Sequence, residues 1–220
     1  MTGMYDFHCH TTLSDGGMLP IELIRRMAVL GYSTVAISDH VDATNLHHVI
    51  DSVSRLKPSA SLFGVNLFCG VEITHVPPEE IPGIARQAKE LGADLVLVHG
   101  ETTVEPVAGG TNEAAVRAPD VDILVHPGLI SHEDASIAAE NDIYLEITSR
   151  NGHNRTNGHL VKVARDTGCR MLVQSDAHEP RDLLDSTAKW LVARGAGLTE
   201  EEAERVLAPD PDLIRRFSRL

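Results

Sequence analysis

Apolar and polar residues alternate along this chain in blocks that predict strands and helices in turn. Short β-rich apolar runs recur throughout, and each has the composition expected for a strand that is buried on both faces. The predicted strands are Met4–His8, Thr34–Ser38, Asn66–Val71, Leu95–Val98, Ile123–Val125, Ile143–Ile147 and Met171–Gln174. Helical patterns with start and stop residues lie between many of these runs. The predicted helices are Pro20–Leu30, Glu79–Leu91, Ser131–Glu140, Thr156–Thr167 and Pro180–Arg194.

This alternation indicates an α/β fold with a parallel sheet. A doubly wound open sheet and a closed barrel both fit the alternation, which does not distinguish between them. The closing stretch, Thr199–Leu220, is predicted to be helical with a break at Pro209-Asp210-Pro211, and to pack across the barrel or sheet. The chain contains no evident linker, repeat or low-complexity segment, so residues 1–220 are expected to form one domain.

Each predicted strand runs into a histidine or an acidic residue. In α/β folds the carboxyl ends of the strands face the ligand, and in barrels these ends converge on one mouth. The residues at these ends are His8, His10, Asp39, His40, Glu72, His99, His126, Glu146, Asp176 and His178. A single buried histidine is more often a satisfied core residue than a ligand, but so many buried imidazoles would lack partners without a metal. The pattern therefore predicts a metal site at the mouth of the fold.

The spacing within these motifs suits metal binding. Residues i and i+2 of an extended strand share a face, so His8 and His10 can bind one cation, and Asp176 and His178 repeat that geometry. Imidazole together with carboxylate favours zinc, iron or manganese, and a carboxylate such as Glu72 can bridge two ions. Two or more divalent cations are therefore expected.

Other polar residues have less specific interpretations. Asp39 is expected to orient a neighbouring imidazole or a turn rather than to bind metal directly. Glu146 is interpreted either as a group that supports the ligands or as a strand-end carboxylate that meets a helix. Histidines in loops and helices are interpreted as surface residues, namely His47, His48, His75 and His132.

Taken together, the motifs resemble those of the polymerase and histidinol phosphatase (PHP) family. The segment Tyr5-Asp6-Phe7-His8-Cys9-His10-Thr11, followed by Ser14-Asp15-Gly16, is similar to its first motif. Its later motifs are resembled, in the same order, by Ser38-Asp39-His40, Gly70-Val71-Glu72-Ile73, Val125-His126-Pro127-Gly128 and Ser175-Asp176-Ala177-His178. The resemblance implies a distorted seven-stranded (β/α) barrel, similar to a TIM barrel, with a trinuclear metal site. The segment Thr199–Leu220 would add a C-terminal helical extension.

The resemblance also implies a role for each matching residue. The implied ligands are His8, His10, Glu72 and Asp176 for one ion, Glu72, His99 and His126 for a second, and Asp15, His40 and His178 for a third. Some relatives have histidine at the position of Asp15, so the third site is expected to be weaker or to prefer another metal. The implied cofactors are two to three divalent ions of zinc, iron or manganese.

The charge of the chain limits its partners. Asp and Glu number 32 against 19 Lys and Arg, which gives a formal net charge of −13. This balance argues against binding long nucleic acid, which requires a basic face. A small phosphorylated metabolite is compatible, because three divalent cations would outweigh Asp15, Glu72 and Asp176 and leave a local charge of about +3.

The remaining composition favours a cytoplasmic protein without a membrane segment. The three cysteines, Cys9, Cys69 and Cys169, form no CxxC pair and give an odd count, as expected in a reducing compartment. No apolar run approaches the roughly 18 residues of a transmembrane helix, and no secretion signal is evident. The oligomeric state is left open.

The ligand set and the resemblance predict a metal-dependent phosphoesterase that acts on a small phosphomonoester, with histidinol phosphate as the leading candidate. Glu72 and Asp176 would serve catalysis as metal ligands, and Arg150 would clamp the phosphate through its guanidinium group. One alternative is a phosphodiesterase or exonuclease that acts on short nucleotides. Another is a non-catalytic subunit of a nucleic-acid machine, a role that some family members have after losing ligands. This chain retains the full ligand set, which argues against the subunit.

Several further residues are candidates for contacts around the substrate. His153 and His159 flank the loop of Arg150 and are weaker candidates for contact with the leaving group. Glu101 is a possible contact to the substrate or to the ligands. The segment Glu101–Asn112, which contains two adjacent glycines, is expected to be a flexible lid over the site.

Overall fold

The structure is a computed structural model that describes residues 3–208 and 211–217. Its strands are β1 (Met4–Asp6), β2 (Tyr32–Ile37), β3 (His40–Val41), β4 (Asn66–Ile73), β5 (Leu95–His99), β6 (Ile123–Val125), β7 (Tyr144–Thr148) and β8 (Met171–Gln174). Seven of them pair in parallel in the order β1-β2-β4-β5-β6-β7-β8, while the short β3 pairs only with β4. These seven strands form a nearly closed barrel. The barrel that the family resemblance implies is therefore confirmed.

The seam between β8 and β1 explains why this barrel is distorted. A parallel bridge joins Cys9 to Ala177, and the amide of His10 donates a hydrogen bond of 2.8 Å to the carbonyl of Ala177. Nearer the start of the strands, the side chain of Gln174 accepts a hydrogen bond of 2.6 Å from the amide of Phe7. A side chain thus replaces part of the backbone ladder at this seam.

Helices surround the barrel. They are α1 (Pro20–Val29), α2 (Leu46–Ser54), α3 (Lys57–Leu62), α4 (Ile81–Glu90), α5 (Thr111–Arg117), α6 (His132–Glu140), α7 (Asn157–Thr167), α8 (Ser186–Gly195), α9 (Glu200–Leu207) and α10 (Pro211–Phe217). Each predicted strand and helix has a counterpart, but α2, α3, α5 and β3 were not predicted. None of the described helices combines the length and apolar character needed to cross a membrane.

One predicted helix is divided in the structure. The stretch Pro180–Arg194 forms a short 3₁₀ turn, Pro180–Asp182, and then α8. The second helix starts anew because the side chain of Asp185 accepts a hydrogen bond of 2.8 Å from the amide of Ala188, an N-cap that satisfies a free helix donor.

Two apolar cores lie on opposite faces of the strands. In β4, Cys69, Val71 and Ile73 belong to the outer core between the barrel and the helices, whereas Phe68 belongs to the inner core. This division follows from the two-residue period of a strand. All three cysteines are buried and unpaired.

The C-terminal helix α10 closes one end of the barrel. Phe217 is buried and packs its ring at 5.4 Å from the ring of Phe7 and at 5.9 Å from that of Phe68, both inside the barrel. Arg216 donates hydrogen bonds of 2.8 Å to the carbonyl of Asp142 and 3.1 Å to the carboxylate of Asp122, which precede β7 and β6. The predicted packing of the C-terminal segment across the barrel is confirmed, while the proposed break at 209–210 lies outside the described residues.

Candidate metal centre

Polar side chains converge at the carboxyl ends of the strands, opposite α10. On the inner face of β4, Phe68 lies at the apolar end and Glu72 at the mouth, two pleats further on. On β5 the same change occurs between Leu97 and His99. The short strand β3 pairs His40 with Glu72 and so brings this imidazole to the same place. Along β4 and β5 the inward-facing side chains are thus apolar at the start of the strand and polar at its carboxyl end.

One deeply buried group consists of His8, His10, Glu72 and Asp176. Nε2 of His8 lies 3.4 Å from Oε2 of Glu72 and 3.6 Å from Oδ1 of Asp176. Nε2 of His10 lies 3.4 Å and 3.3 Å from the same two oxygens. Four ligands at 2.0–2.2 Å from a tetrahedral ion lie roughly 3.3–3.6 Å from one another. These four imidazole–carboxylate distances lie in that range, and His8, His10 and Glu72 offer ligand atoms that all lie within 4.8 Å of one another.

Hydrogen bonding within this group is incomplete in a way that fits a cation. Nε2 of His8 and both ring nitrogens of His10 are buried and have no hydrogen-bond partner. The oxygens of Glu72 have none of good geometry, although Nδ1 of His40 lies 2.7 Å from Oε2. Buried polar atoms without partners destabilise a fold by about 1–3 kcal/mol each. Metal ligation would satisfy Nε2 of both histidines and the oxygens of Glu72, while Nδ1 of His10 would keep its proton and face Oδ1 of Asp15 at 3.7 Å. The residues present therefore fit a bound divalent cation.

Burial also keeps two of the imidazoles in the form that binds metal. It lowers the pKa of His10 to about 4 and the pKa of His126 to about 3, despite the opposing effect of nearby carboxylates. A neutral imidazole retains a lone pair, which a metal requires of its ligand.

Glu146 lies behind the first group. Its Oε1 is 2.6 Å from Nδ1 of His8, and its Oε2 accepts a hydrogen bond of 2.9 Å from the amide of His126. Contact with Nδ1 leaves Nε2 of His8 facing the other ligands. Burial raises the pKa of Glu146 to about 7, although His8 acts in the opposite direction. This carboxylate therefore orients one ligand and anchors the segment that carries another.

Backbone and side-chain acceptors direct three further imidazoles. Nδ1 of His99 lies 3.2 Å from the carbonyl of Gly100, and Nδ1 of His178 lies 3.0 Å from the carbonyl of Asp176. Nδ1 of His40 is 2.7 Å from Oγ1 of Thr74, whose own hydroxyl donates to the carbonyl of Glu72. A carbonyl can only accept, so Nδ1 carries the proton in His99 and His178, and Nδ1 of His40 also faces Oε2 of Glu72 at 2.7 Å. Nε2 is then the nitrogen that is available to a metal.

Glu72 and Asp176 each face two groups of ligands. Nε2 of His126 lies 3.5 Å from Oε1 of Glu72 and 3.6 Å from Oδ2 of Asp176, on the sides of these carboxylates away from His8 and His10. The rings of His99 and His126 are 4.4 Å apart. Both carboxylates therefore lie between the first group of ligands and a second group that contains His99 and His126.

A third group lies nearer to solvent. Oδ2 of Asp15 is 3.2 Å from Nε2 of His178, and its Oδ1 is 3.6 Å from Nε2 of His40 and 3.7 Å from Nδ1 of His10. The side chain of Asp15 is 54% exposed, in contrast to the buried carboxylates of the first group. Exposure of one ligand fits the expectation of a weaker third site.

Asp39 holds the turn that carries Asp15. Its carboxylate accepts hydrogen bonds of 2.7 Å from both the amide and the hydroxyl of Thr11, and one of 2.6 Å from the hydroxyl of Ser14. No hydrogen bond to an imidazole is described for it. Its position corresponds to the turn-orienting alternative rather than to a metal ligand.

Strained backbone marks the same region. Three residues at the mouth, His75, His126 and Asp176, have positive φ angles of 55°, 29° and 52°. Such conformations are costly for residues other than glycine and are common at binding sites. Gly128, which follows His126 in the His-Pro-Gly motif, has φ of 62°, and a Cβ there would lie 1.9 Å from the carbonyl oxygen of Glu101. Only glycine permits this close approach of the two loops.

A cavity of about 480 Å³ opens above the ligands. Arg150 lines it, with a side chain that is 31% exposed and Nη1 at 3.3 Å from Oδ2 of Asp182. The same oxygen of Asp182 accepts a hydrogen bond of 3.1 Å from the amide of His178. Arg150 therefore lies beside the segment that carries a ligand of the third group.

Two predicted contacts lie elsewhere. Oε1 of Glu101 accepts hydrogen bonds of 3.0 Å from the amides of Gly110 and Asn112, so this side chain closes its own loop. Nε2 of His159 contacts the carbonyl of Ile130 at 2.8 Å. Among the described residues that line the cavity neither is present. Their side chains are engaged locally, which the sequence position did not indicate.

Two residues at the mouth were missed or undervalued. His75 was interpreted as a surface residue, and its side chain is indeed 44% exposed, but it lines the cavity with its ring 5.1 Å from that of His99. Glu105 was not singled out, yet its carboxylate lies 3.0 Å from Nε2 of His99. Its position in the segment that is expected to cover the site was the one sequence feature that could have indicated this contact.

Known proteins resemble this chain over most of its length. An uncharacterized protein of Methanocaldococcus jannaschii is 46% identical over 216 residues, which cover 97% of this chain and 99% of that protein. Ribonuclease P protein component 3 of Methanosarcina mazei is 28% identical over 230 residues, which cover 98% of this chain and 90% of that protein. A chain in the cryo-EM structure of archaeal ribonuclease P with mature tRNA has a TM-score of 0.71 and 15% identity, covering 96% of this chain and 89% of that one.

The ribonuclease P relative is partly at odds with the expectation that long nucleic acid is not a partner. Net charge sums over the whole surface, so it does not exclude a local contact with nucleic acid. The family itself is clear from the matched residues: the PHP domain model matches residues 6–180, which include all nine predicted ligands. This chain belongs to the PHP family, whose fold is linked to metal-dependent phosphoesterases.

Proposed function

We propose that this protein is a metal-dependent phosphoesterase that hydrolyses a small phosphomonoester. The observation that carries the proposal is the group formed by His8, His10, Glu72 and Asp176. The ring Nε2 atoms of the two histidines lie 3.3 to 3.6 Å from the facing oxygens of the two carboxylates, and several of these atoms are buried without hydrogen-bond partners. A protein without a cation-dependent role would have little reason to keep so many unsatisfied groups in one place.

The proposed ligand assignment follows the three groups. His8, His10, Glu72 and Asp176 would hold the first cation. His99 and His126, with Glu72 and Asp176, would hold the second, and Asp15, His40 and His178 would hold the third. When bound, divalent cations polarise the phosphoryl oxygens and neutralise the charge that develops during hydrolysis. The chain contributes the fixed positions of the ligands and the charge balance around them.

Arg150 is proposed to bind the phosphate. The contact of its guanidinium with Asp182 is 3.3 Å long, so it is held at the cavity without a short ion pair that would fully occupy its donors. A guanidinium presents two parallel N–H groups to the oxygens of a phosphate. This contact favours a terminal phosphate dianion over a diester, which has one negative charge and a second substituent.

The size and lining of the cavity support a small substrate. A volume of about 480 Å³ lies in the range of sites for small molecules, roughly 300–1,000 Å³. Acidic side chains at its rim, among them Asp42 and Glu105, favour a leaving group that carries a positive charge. Histidinol phosphate, which has an amine and an imidazole, fits this description and is the leading candidate. A diester or a short nucleotide is the alternative substrate.

A second candidate function is that of a protein subunit in a ribonucleoprotein. The similarity to ribonuclease P protein component 3 over 98% of this chain supports it. The buried, unpartnered ligand atoms support a bound cation, which a phosphoesterase needs and a scaffolding role does not require. The two functions differ in what they need from the mouth of the barrel.

The deciding experiment is an assay of the purified protein, with its metal content measured, against matched phosphomonoesters and diesters that include histidinol phosphate. We expect metal-dependent turnover with preference for a monoester. The Asp176→Ala variant serves as the inactive control. Absence of turnover with every ester, together with tight binding to structured RNA, would support the subunit instead.

A further inference from the structure

The segment between β5 and α5 brings a carboxylate to the second group of ligands. Oε2 of Glu105 lies 3.0 Å from Nε2 of His99 and 3.4 Å from Nε2 of His75. Its other oxygen, Oε1, lies 3.1 Å from Nε2 of His153. Since Nδ1 of His99 contacts the carbonyl of Gly100, the nitrogen that faces Glu105 is the one available to a metal.

Hydrogen bonds anchor both ends of this segment and so restrict the position of Glu105. Oδ1 of Asn112 accepts a hydrogen bond of 3.0 Å from the amide of Glu101, and its Nδ2 donates one of 2.8 Å to the carbonyl of Pro127. Oε1 of Glu101 accepts from the amide of Asn112 in return. Both ends of the segment are thus tied to each other and to the His-Pro-Gly motif.

The middle of the segment rests on the loop that carries His153. A Cβ placed on Gly152 would lie 3.3 Å from Cγ1 of Val104, so the two loops are in close contact. This contact places Glu105, the next residue after Val104, directly beside His153. Packing and charge thus act together to hold the carboxylate over the cavity.

His153 supplies an independent observation. Its ring is 7% exposed, its Nδ1 is buried and has no hydrogen-bond partner, and its centroid lies 4.4 Å from that of His126. His99, His126 and His153 can each offer a nitrogen within 4.8 Å of the others, as a shared metal would require. An unpartnered buried nitrogen in such a group points to a ligand.

We infer that Glu105 and His153 are additional protein ligands of the second cation, which His99 and His126 also hold. The inference rests on the proposed metal centre and extends it, because the PHP motifs of this chain include neither residue. The loop 101–110 then couples to metal binding, because a bond from Glu105 to the cation would further stabilise the segment over the cavity.

Metal titration of the full chain after chelation tests this assignment, with Co²⁺ as the probe. Loss of a protein ligand is expected to weaken one class of site by about 10–100-fold or more and to leave the others unchanged. We expect this result for Glu105→Gln and for His153→Gln, together with altered visible absorption of Co²⁺ at the weakened site. Glu113→Gln, which removes an exposed carboxylate on α5 that contacts Arg117 at 3.1 Å, is the matched control and should bind as wild type does.

Hydrogen exchange of the amides in 101–110 provides a second measurement. Addition of Co²⁺ should slow exchange there in the wild type and in Glu113→Gln, but not in Glu105→Gln. If Glu105→Gln and His153→Gln bind every Co²⁺ ion with wild-type affinity and spectrum, the inference is wrong while the metal centre stands. If the wild type itself binds no Co²⁺, the proposed phosphoesterase is wrong as well.

Discussion

The two ends of the barrel interior have opposite chemistry although the same strands form both. At the mouth, His8 and His10 are buried with ring nitrogens that have no hydrogen-bond partner. At the other end, Phe7 and Phe68 pack against Phe217 of α10 with ring centroids 5.4 and 5.9 Å from it. At the apolar end the side chains satisfy one another by packing. At the mouth, buried polar atoms lack partners within the chain, which is typical of a binding site.

This comparison predicts that changes at the mouth abolish activity without unfolding the protein. Asp176→Ala should reduce hydrolysis to background, because this carboxylate faces both the first and the second group of ligands. Steady-state turnover and metal content of the purified variant measure the effect. His132→Ala, on an exposed side chain that contacts Asp166, is the control and should retain wild-type turnover. Equal activity of the two variants would contradict the assignment.

Substitutions at the apolar end should lower the stability of the protein without changing its metal content. Phe217→Ala removes a buried ring from the inner core and should lower the free energy of unfolding by about 3–5 kcal/mol. Urea denaturation measures this loss, and metal content per folded chain should not change. Phe63→Ala removes a ring that is 40% exposed and should cost less than about 1 kcal/mol. Comparable losses in both variants would show that α10 does not close the barrel as described.

Metal removal tests whether bound cations stabilise the folded protein. Cations bound only by the folded state stabilise it by about 2.7–4.1 kcal/mol at 100 to 1,000 times their dissociation constant. Chelation should therefore lower the melting temperature, and the shift should be much smaller in Asp176→Ala, which disturbs two of the three proposed sites. A melting temperature that is the same with and without chelator would argue against cations in the wild type.

The smallest expected effect concerns Arg150, at the edge of the cavity. Arg150→Ala should lower kcat/KM for a monoester about 10–100-fold, equivalent to the 1.5–3 kcal/mol of a charged hydrogen bond. Arg150→Lys should restore only part of this loss, because lysine lacks the bidentate fork. Metal content should be unchanged in both. If the wild type prefers the diester, or monoester turnover ignores both changes, Arg150 does not clamp a phosphate dianion.

Much of the fold was predictable because its signals are local. The seven barrel strands were located within a few residues, since a buried strand carries a continuous apolar run and a strand end carries its polar residue in the next positions. The barrel itself came from the family resemblance, because the same alternation suits an open sheet. The helices α2 and α5 were missed, although Leu46, Val49 and Ile50 in α2 have helical spacing and are buried.

The sequence by itself determined the strand ends and the residues offered there, including His8, Glu72 and Asp176. These features depend on neighbours a few positions away, which a pattern can capture. Only the tertiary structure decided that Glu105 lies against His153, 48 residues further along, and that Glu101 turns back to its own loop. Contacts between loops depend on how separate segments pack. No period or motif within one segment encodes that packing.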